Sequence, residues 1–426
     1  MKKIWLCVLF LLCSVLISCD GTETGGKDGG ITTIKFVCNA GYVAEFEGRI
    51  AEFEKLHPEI NVEIQGIAAS SWGEMLNTIS LDIISGNGPD IADIASEGMY
   101  TFAESGLLEP IDSYLERDRE EMAETLAEID SNLINSHKIN GKLYSLPTVW
   151  NNMCIYYNKS VLKAAGLEEP QAGWTTEDFL QMCKEVSKNN TGGAKDVYGY
   201  SFYQSYFTTL EPWLQAFNSS ILSDDWTEST VNTTNAKQAF SYLYDLVNNH
   251  KVSPAMGSDD AQLFTQNRLA FLGAGMWYVE KLKNMGFGAD QYDVVPWPSV
   301  DGQVHSVIGV GGAPIFKDSK HKEEAWELAK FLSSKDFQSG FLSNSIWAIP
   351  SVKTAADTVF AKSFFPNNAQ IFWDAAKYGK YVPAPAAYTA IESTILREFG
   401  AYMAGVKTLD VAMSDAQKKM NEALGN

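Results

Sequence analysis

The sequence predicts an α/β fold, because segments with the period of a strand alternate with segments that have the period of a helix. In the first part of the chain the predicted elements are, in order, a strand at 31–40, a helix at 44–57, a strand at 60–64, a helix at 71–88 and a strand at 89–96. Phe46, Ile50 and Phe53 share one face of the first helix. This β-α-β-α-β order indicates a parallel sheet covered by helices.

The same alternation begins again after residue 140 and continues to the end of the chain. Its predicted elements are strands at 143–147 and 153–158, a helix at 161–166, a helix capped by Thr175, strands at 292–298 and 305–316, a helix at 323–332 and two helices in the tail. A chain of 426 residues is too long for one small core. The sequence therefore predicts two domains or two lobes.

Composition and charge restrict the classes of partner. The formal net charge is −20, and the first 18 residues contain two lysines and no acids, so the rest of the chain carries −22. Such a surface repels phosphate backbones and anionic lipids, which argues against nucleic acid as a partner. Cys38, Cys154 and Cys183 lie in apolar patterns and are predicted to be buried free thiols.

The N-terminus predicts export and attachment to a membrane. Two lysines precede an apolar run that is too short to span a bilayer comfortably, and the run ends in Leu16, Ile17, Ser18 and Cys19. This ending resembles a bacterial lipobox, which predicts a signal peptide at 1–18 and lipidation of Cys19. An ordinary signal peptide with an incidental cysteine is the alternative. Gly-rich residues up to 30 predict a flexible tether.

The common catalytic and cofactor motifs do not occur in the sequence. It contains no G-x-S-x-G, no H-E-x-x-H and no complete dinucleotide or phosphate loop, and its five histidines lack metal-ligand spacing. We therefore predict that the protein is not an enzyme and needs neither a cofactor nor a metal. With 53 acidic residues, a glycosidase that uses two carboxylates remains open.

Large aromatic residues at the ends of apolar runs are the positive signal for function. Tyr42, Trp150, Trp277 and Trp347 lie beside Gly, Asn or Pro. A ring in such a place can stack on the C–H face of a sugar while a neighbouring polar group binds the hydroxyls. Burial in the core is the alternative for each of them, and we assign Trp174 and Trp326 to the core.

Several short motifs, in a fixed order, resemble those of the bacterial extracellular solute-binding protein family 1, the sugar-type receptors of ABC importers. The resemblance covers nearly all of residues 31–424. Its motifs are FEKLHPEINV at 53–62, GNGPDI at 86–91, LEPID at 108–112, GKLYSLP and YNKSVLKAAGL within 141–167, GWTTEDF at 173–179, GAGMW at 273–277, SKHKEEAW at 319–326 and AIPS at 348–351.

The resemblance implies a two-lobed periplasmic-binding-protein-like fold in which hinge strands join the lobes and the ligand lies in the cleft between them. Lobe 1 would comprise 31–138 and 298–345, and lobe 2 would comprise 139–297 and 346–426. The implied partners are a mono- or oligosaccharide, the permease subunits of an ABC importer and, through the lipid anchor, the membrane. The implied place is the outer face of the bacterial cytoplasmic membrane, on the periplasmic side if there is a second membrane, and the protein would be a monomer.

The ligand-binding residues implied by the resemblance lie at the ends of strands and at the starts of helices. They are Asn39, Tyr42, Glu97, Trp150, Asn151, Trp277, Gly311, Gly312, Trp347 and Tyr388. Trp277 corresponds to the stacking tryptophan of the family. For Trp347 two roles remain open, filling the cleft or adding a stacking face, and Asn152 is expected to be a turn residue.

Two other functions remain as alternatives to a sugar receptor. A surface glycoside hydrolase would need a pair of carboxylates in the cleft, spaced for acid and base catalysis. A receptor for a non-sugar such as a polyol phosphate would need Arg or Lys in the cleft.

Overall fold

The computed structural model describes residues 30–69, 72–342 and 346–426. It confirms the predicted α/β class, since helices and strands alternate along the described chain. The predicted signal peptide, Cys19 and the tether up to residue 29 lie outside the described residues.

Fourteen strands are found in the described part of the chain. They are β1 Thr32–Asn39, β2 Ile60–Ile67, β3 Ile91–Ala92, β4 Ile94–Ala95, β5 Lys138–Ile139, β6 Lys142–Leu143, β7 Pro147–Asn152, β8 Cys154–Asn158, β9 Tyr198–Ser201, β10 Leu269–Ala274, β11 Tyr292–Val295, β12 Val307–Gly312, β13 Ile349–Pro350 and β14 Lys380–Tyr381.

The α-helices lie between these strands and in the C-terminal tail. They are α1 Val43–Leu56, α2 Trp72–Ile84, α3 Ser96–Glu104, α4 Asp112–Arg117, α5 Arg119–Glu128, α6 Ser131–Asn135, α7 Lys159–Ala164, α8 Thr176–Ser187, α9 Glu211–Ala216, α10 Thr234–Asn248, α11 Asp260–Thr265, α12 Trp277–Asn284, α13 Lys322–Ser333, α14 Lys335–Phe341, α15 Lys353–Phe360, α16 Gln370–Asp374, α17 Tyr388–Met403 and α18 Leu409–Leu424. Single turns at Ala40–Tyr42 and Ala375–Lys377 and a π-turn at Tyr206–Leu210 complete the set.

The first sheet has three parallel strands in the order β2-β1-β3, as the β-α-β-α-β pattern predicts. Ile34 pairs with Val62, and Phe36 pairs with Ile91. Ile34, Phe36 and Ile91 are fully buried. The carboxyl ends of these strands therefore lie along one edge of the sheet, where open α/β sheets bind ligands.

The prediction of a single strand at 89–96 is wrong, because the structure has two short strands there, β3 and β4, on either side of Asp93. β3 pairs with β1 of the three-stranded sheet, whereas β4 pairs with β12 of a second sheet. The backbone N–H of Asp93 donates to the carbonyl of Val37 at 2.8 Å. The chain thus passes from one sheet to another at this acidic residue.

Two larger sheets form the rest of the described framework. One has four strands in the order β11-β8-β10-β9. The other has five, in the order β13-β7-β12-β14 with β4 also paired to β12. Only Met153 separates β7 from β8, so one extended segment serves both sheets.

The structure corrects two details of the sequence prediction near β7. Residues 144–146, expected within a strand, connect β6 to β7 without pairing. Asn152 is not a turn residue but the last residue of β7, where it is 1% exposed and pairs with Ile308.

The helix capped by Thr175 and the two core tryptophans are confirmed. Thr175 accepts a hydrogen bond from the N–H of Asp178, whose carboxylate accepts from the N–H of Thr175, and this is a capping box. Trp174 and Trp326 are 7% and 0% exposed. Cys38, Cys154 and Cys183 are buried free thiols, as predicted.

Candidate functional site

A cavity of about 230 Å³ is lined by residues that belong to or follow strands of the three-, four- and five-stranded sheets. Its lining residues are Tyr42, Trp72, Asp93, Ala95, Glu97, Val149, Trp150, Asn151, Phe207, Trp277, Gly309, Gly311 and Trp347. Tyr42 follows β1, Phe207 and Trp277 follow β9 and β10, and the two glycines belong to β12. The cavity thus lies at the carboxyl ends of strands, the usual place for a ligand in open α/β sheets.

Tyr42 and Trp347 form a stacked aromatic pair on one side of the cavity. Their ring centroids are 4.2 Å apart and the rings are 10° from parallel. The side chain of Asn39 accepts from the N–H of Gly41 at 2.8 Å and caps the turn that presents Tyr42. Asn39 therefore positions Tyr42 but does not itself line the cavity. Trp347 both fills space against Tyr42 and borders the cavity.

The two glycines of the GAGMW motif make room for two tryptophan rings, and Gly275 lies against Trp277. A Cβ on Gly275 would lie 2.1 Å from Cζ3 of Trp277, so only glycine lets this ring lie against the backbone. A Cβ on Gly273 would lie 2.3 Å from the ring of Trp297, which packs behind the strand. The hydroxyl of Tyr156 donates to the carbonyl of Gly275 at 2.8 Å. The Trp277 ring is only partly buried and faces the cavity.

Two buried carboxylates, Asp93 and Glu97, line the same cavity. They are 6% and 3% exposed. Burial raises the pKa of Asp93 to about 7. Burial also raises the pKa of Glu97 to about 7, with a further contribution from the negative charge of Glu392, while hydrogen bonds from its own backbone and from Ser96 oppose the shift. These acids are costly to ionise unless a ligand donates to them.

The floor of the cavity is the glycine-rich strand β12. Gly309 and Gly311 line it, and the alternation of a strand places Gly312 on the opposite face. A Cβ on Gly312 would lie 2.5 Å from Oγ of Ser145 and 2.7 Å from Cε1 of His137, so this glycine serves packing. A Cβ on Gly309 would meet the ring of Phe207 at 3.4 Å. The sequence-predicted Gly311 thus borders the cavity, whereas Gly312 does not.

Trp150 and Asn151 both border the cavity but differ in their orientation. The Trp150 side chain is 1% exposed and packs edge-to-face on Trp373, with centroids 6.1 Å apart. Its ring thus offers no stacking face in this conformation, and the expected stacking role is not supported by its placement. Neighbouring strand residues point to opposite faces, so Asn151 faces the cavity side.

Asn151 forms hydrogen bonds to both segments that carry cavity tryptophans, the one with Trp277 and the one with Trp347. Its amide nitrogen donates to the carbonyl of Trp347 at 3.1 Å, and its amide oxygen accepts from the N–H of Met276 at 3.2 Å. A second tie runs from the N–H of Ile346 to the carboxylate of Glu280 at 2.8 Å. Asn151 is therefore a positioning residue for Trp277 and Trp347.

Tyr388 lies in the interior behind the cavity. It is 2% exposed, and its hydroxyl donates to the carboxylate of Glu392 at 2.8 Å. Burial raises the pKa of Tyr388, and the negative charges of Glu97 and Glu392 add to the shift. Tyr388 is not among the residues that border the cavity.

Comparison with known proteins decides the family. Residues 40–339 match the bacterial extracellular solute-binding proteins. This chain is a member of that family.

Relatives and solved structures agree with this membership. The chain is 24% identical over 398 residues to a binding protein of Brucella abortus, covering 90% of this chain and 92% of that one. It is 25% identical over 350 residues to the arabinooligosaccharide-binding protein of Bacillus subtilis, covering 79% and 77%.

An ABC substrate-binding protein of Listeria monocytogenes, solved in complex with cycloalternan, superposes with a TM-score of 0.81. It is 24% identical and the match covers 93% of this chain and 99% of the other. The two-lobed α/β fold expected from the sequence is thereby confirmed.

In this solute-binding protein the sequence did not identify six cavity residues: Trp72, Asp93, Ala95, Val149, Phe207 and Gly309. Asp93 carried a usable signal, since an acid within the apolar run 91–95 is expensive to bury without a purpose. Gly309 could also have been predicted, because residues two apart in a strand lie on the same face and Gly311 was already a candidate. Trp72 is the first residue of α2, and Phe207 lies in the π-turn Tyr206–Leu210. Only the folding of the chain brings these two rings to the cavity.

At least four cavities in the described chain are larger than the aromatic one, at about 340, 350, 510 and 580 Å³. The two largest of these share Gln215, Ser220, Leu222, Ser223, Asp224 and Lys380. Their linings are dominated by short polar side chains, with Tyr100, Trp226 and Tyr381 in the second. Size therefore does not select the candidate site, whereas its place at strand ends and its rings do.

Among the described residues, no helix is long and apolar enough to cross a membrane. No group of three or more His, Cys, Asp and Glu side chains in the described ranges is arranged to hold a metal ion.

Proposed function

We propose that this protein is a carbohydrate receptor that delivers a mono- or oligosaccharide to the permease of an ABC importer and catalyses no reaction. The observation that carries the proposal is the combination of partly buried rings and buried carboxylates in one cavity at strand ends. Rings pack on the C–H faces of sugars, and carboxylates accept hydrogen bonds from hydroxyl groups. Sugar receptors among its relatives, such as the arabinooligosaccharide-binding protein, support the assignment.

The proposed ligand site comprises Tyr42, Glu97, Asn151, Trp277, Gly311 and Trp347 from the sequence prediction, together with Asp93, Trp72 and Phe207. Asn39 supports Tyr42, while Trp150, Gly312 and Tyr388 support the site from the interior. We infer that the lobes are 31–138 with 298–345 and 139–297 with 346–426, and that ligand binding favours the conformation in which they close. The three-stranded sheet lies within the first set of residues and the four-stranded sheet within the second.

Two observations argue against the alternatives. A glycoside hydrolase needs one protonated and one ionised carboxyl group, but burial raises the pKa of Asp93 and that of Glu97 alike, to about 7. A phosphate-bearing solute needs cationic partners, and none of the described lining residues is Lys, Arg or His.

The experiment that tests the function is a thermal-shift screen of the mature protein against mono- and oligosaccharides, with polyol phosphates as the competing class. A ligand that binds only the native state stabilises it by about 2.7 kcal/mol at one hundred times its Kd, so a true ligand raises Tm clearly. We expect at least one saccharide to raise Tm. A response to polyol phosphates alone, or to no saccharide, would overturn the proposal.

We also propose that lipid on Cys19 holds the protein, as a monomer, on the outer face of the cytoplasmic membrane. The lipobox-like residues 16–19 and the Gly-rich residues after them support this. Cys19→Ser is expected to release the protein from the membrane fraction, whereas Cys13→Ser, a matched control within the signal peptide, should not. If the Cys19→Ser protein stays with the membranes, lipidation at this position is excluded.

A further inference from the structure

The candidate cavity has a one-sided charge. Asp93 and Glu97 line it, and none of its described lining residues is cationic. More carboxylates lie close by: the charge of Glu392 contributes to the raised pKa of Glu97, and the charges of Glu45 and Glu280 join burial and Asp93 in raising the pKa of Tyr42 to about 12. When Asp93 and Glu97 ionise, no cation among the described lining residues offsets their charge.

The two carboxylates of the cavity have few hydrogen-bond donors within the described chain. In the described chain, no side chain or backbone N–H donates to the carboxylate of Asp93, which is 6% exposed. Glu97 accepts a long hydrogen bond of 3.4 Å from Oγ of Ser96 and a second hydrogen bond from its own backbone N–H. Buried carboxylates with so few donors, and with no cation beside them, favour a ligand that supplies both donors and positive charge.

A cation adjacent to the cavity is already engaged elsewhere. Lys281 lines a neighbouring cavity, which Trp277 also borders. Its Nζ lies 3.8 Å from the carboxylate of Asp260 and 4.9 Å from the ring centroid of Tyr278. It therefore does not neutralise Asp93 or Glu97.

The aromatic lining suits the same kind of ligand. Tyr42, Trp72, Phe207, Trp277 and Trp347 are all partly buried and border the cavity. The face of each ring is negative, so it attracts a cation as well as the C–H face of a sugar. Rings and carboxylates together resemble the surroundings that proteins build for organic ammonium groups.

We propose that the saccharide bound here carries a protonated amine, and that the ammonium group of this amino sugar lies against the carboxylates of Asp93 and Glu97. This inference rests on the proposed carbohydrate receptor function. A neutral sugar can bind these acids as hydrogen-bond partners, but it does nothing to offset the cost of ionising them in a desolvated site. An ammonium group supplies three donors and the missing charge.

The test compares amino sugars with their neutral counterparts by calorimetry on the intact mature protein. The probes are glucose, galactose and mannose, their 2-amino-2-deoxy derivatives and the N-acetylated forms of those derivatives, together with the matching β-1,4-linked disaccharides of glucose and glucosamine. Acetylation removes the charge and keeps the nitrogen. We expect an amine form to bind at least about tenfold more tightly than its hydroxyl and N-acetyl counterparts, the scale of one charged hydrogen bond.

The possible results separate this inference from the function on which it rests. Neutral sugars that bind as tightly as the amines, or more tightly, overturn the inference and leave the receptor function standing. If no saccharide of either kind binds in this series or in the thermal-shift screen, the receptor function fails as well.

Two isosteric variants identify the responsible groups. Asp93→Asn and Glu97→Gln should each reduce the preference for the amine over the neutral sugar several-fold, while the affinity for the neutral sugar changes less. Glu104→Gln, at the exposed end of the helix that begins beside Glu97, is the matched control and should keep the preference. A preference that persists in both variants would show that these carboxylates do not bind the ammonium group; melting curves verify that each variant is folded.

Discussion

The two sides of the cavity differ in chemistry. The side that follows the three-stranded sheet carries Tyr42, Asp93 and Glu97, and we call it the acidic wall. The side that follows the four-stranded sheet carries Phe207 and Trp277, and we call it the aromatic wall. The acidic wall has buried charges that cost stability without a ligand, whereas the aromatic wall has ring surface that costs little to expose. The acidic wall is thus suited to selectivity and the aromatic wall to affinity.

The largest expected effect belongs to the acidic wall and concerns stability against pH. The unfolded chain releases the proton of Asp93 near pH 3.8, whereas the folded chain holds it up to about 7. The free energy of unfolding should therefore fall as pH rises from about 4 to about 7 and stay flat above, by about 4 kcal/mol at most for this group. Cys38 and Tyr42, whose pKa values the charge of Asp93 helps to raise, carry no positive charge that would compensate it.

Chemical denaturation at a series of pH values measures this effect. Asp93→Asn should remove its share of the slope and stabilise the unliganded protein above pH 7, while Glu97 and Glu211, whose pKa values burial also raises to about 7, keep theirs. The exposed Asp224→Asn is the matched control. A slope between pH 4 and 7 that is the same in Asp93→Asn and wild type would contradict the cost that we assign to the acidic wall; His137, whose pKa burial lowers to about 4, opposes the fall equally in both proteins.

The aromatic wall should show the reverse pattern, with a loss of affinity and little change in stability. Trp277→Ala removes a partly exposed ring and should weaken binding of the saccharide found in the screen by about 1–3 kcal/mol, measured by calorimetry. Tyr244→Ala is the control, because that ring stacks on Tyr402 outside the cavity, with centroids 4.9 Å apart. Equal affinities of Trp277→Ala and wild type would remove this tryptophan from the site.

The smallest expected effect lies where Asn151 connects the segments that carry the tryptophans. Asn151→Ala removes hydrogen bonds to Trp347 and Met276 and should lower the free energy of unfolding by about 1–2 kcal/mol. Affinity for the saccharide should also fall, because the rings of Trp277 and Trp347 are no longer held in place. Asn151→Asp should keep the hydrogen bond that accepts from the N–H of Met276 and lose the one that donates to the carbonyl of Trp347. Unchanged affinity in Asn151→Ala would mean that the ligand does not depend on how these segments are joined.

Sequence patterns predicted the framework because they are local. Strand β2 follows from the alternation at Ile60, Val62 and Ile64, and the parallel pairing of the first sheet follows from the β-α-β-α-β order. The start of α8 follows from Thr175 as its N-cap. Tyr42 and Trp277 were also identified, as large rings where an apolar run ends, whereas Glu97 followed from the family resemblance.

The parts that escaped prediction depend on side-chain direction and on contacts distant in sequence. Gly309 rather than Gly312 faces the cavity, and the ring of Trp150 turns into the core while Asn151 turns out of it. Asn151 and Trp347 are 196 positions apart in the sequence, so no local pattern predicts their hydrogen bond. Asp93 divides a strand because its neighbours pair with two different sheets, which a short apolar run cannot reveal.

A crystal structure of the complex with the saccharide from the screen tests the central claim most directly. We predict that a sugar ring stacks on Trp277 of the aromatic wall, with polar atoms within hydrogen-bond distance of the Asp93 and Glu97 carboxylates. A saccharide bound instead in the polar cavities around Gln215 and Lys380, with the aromatic cavity unchanged, would contradict it.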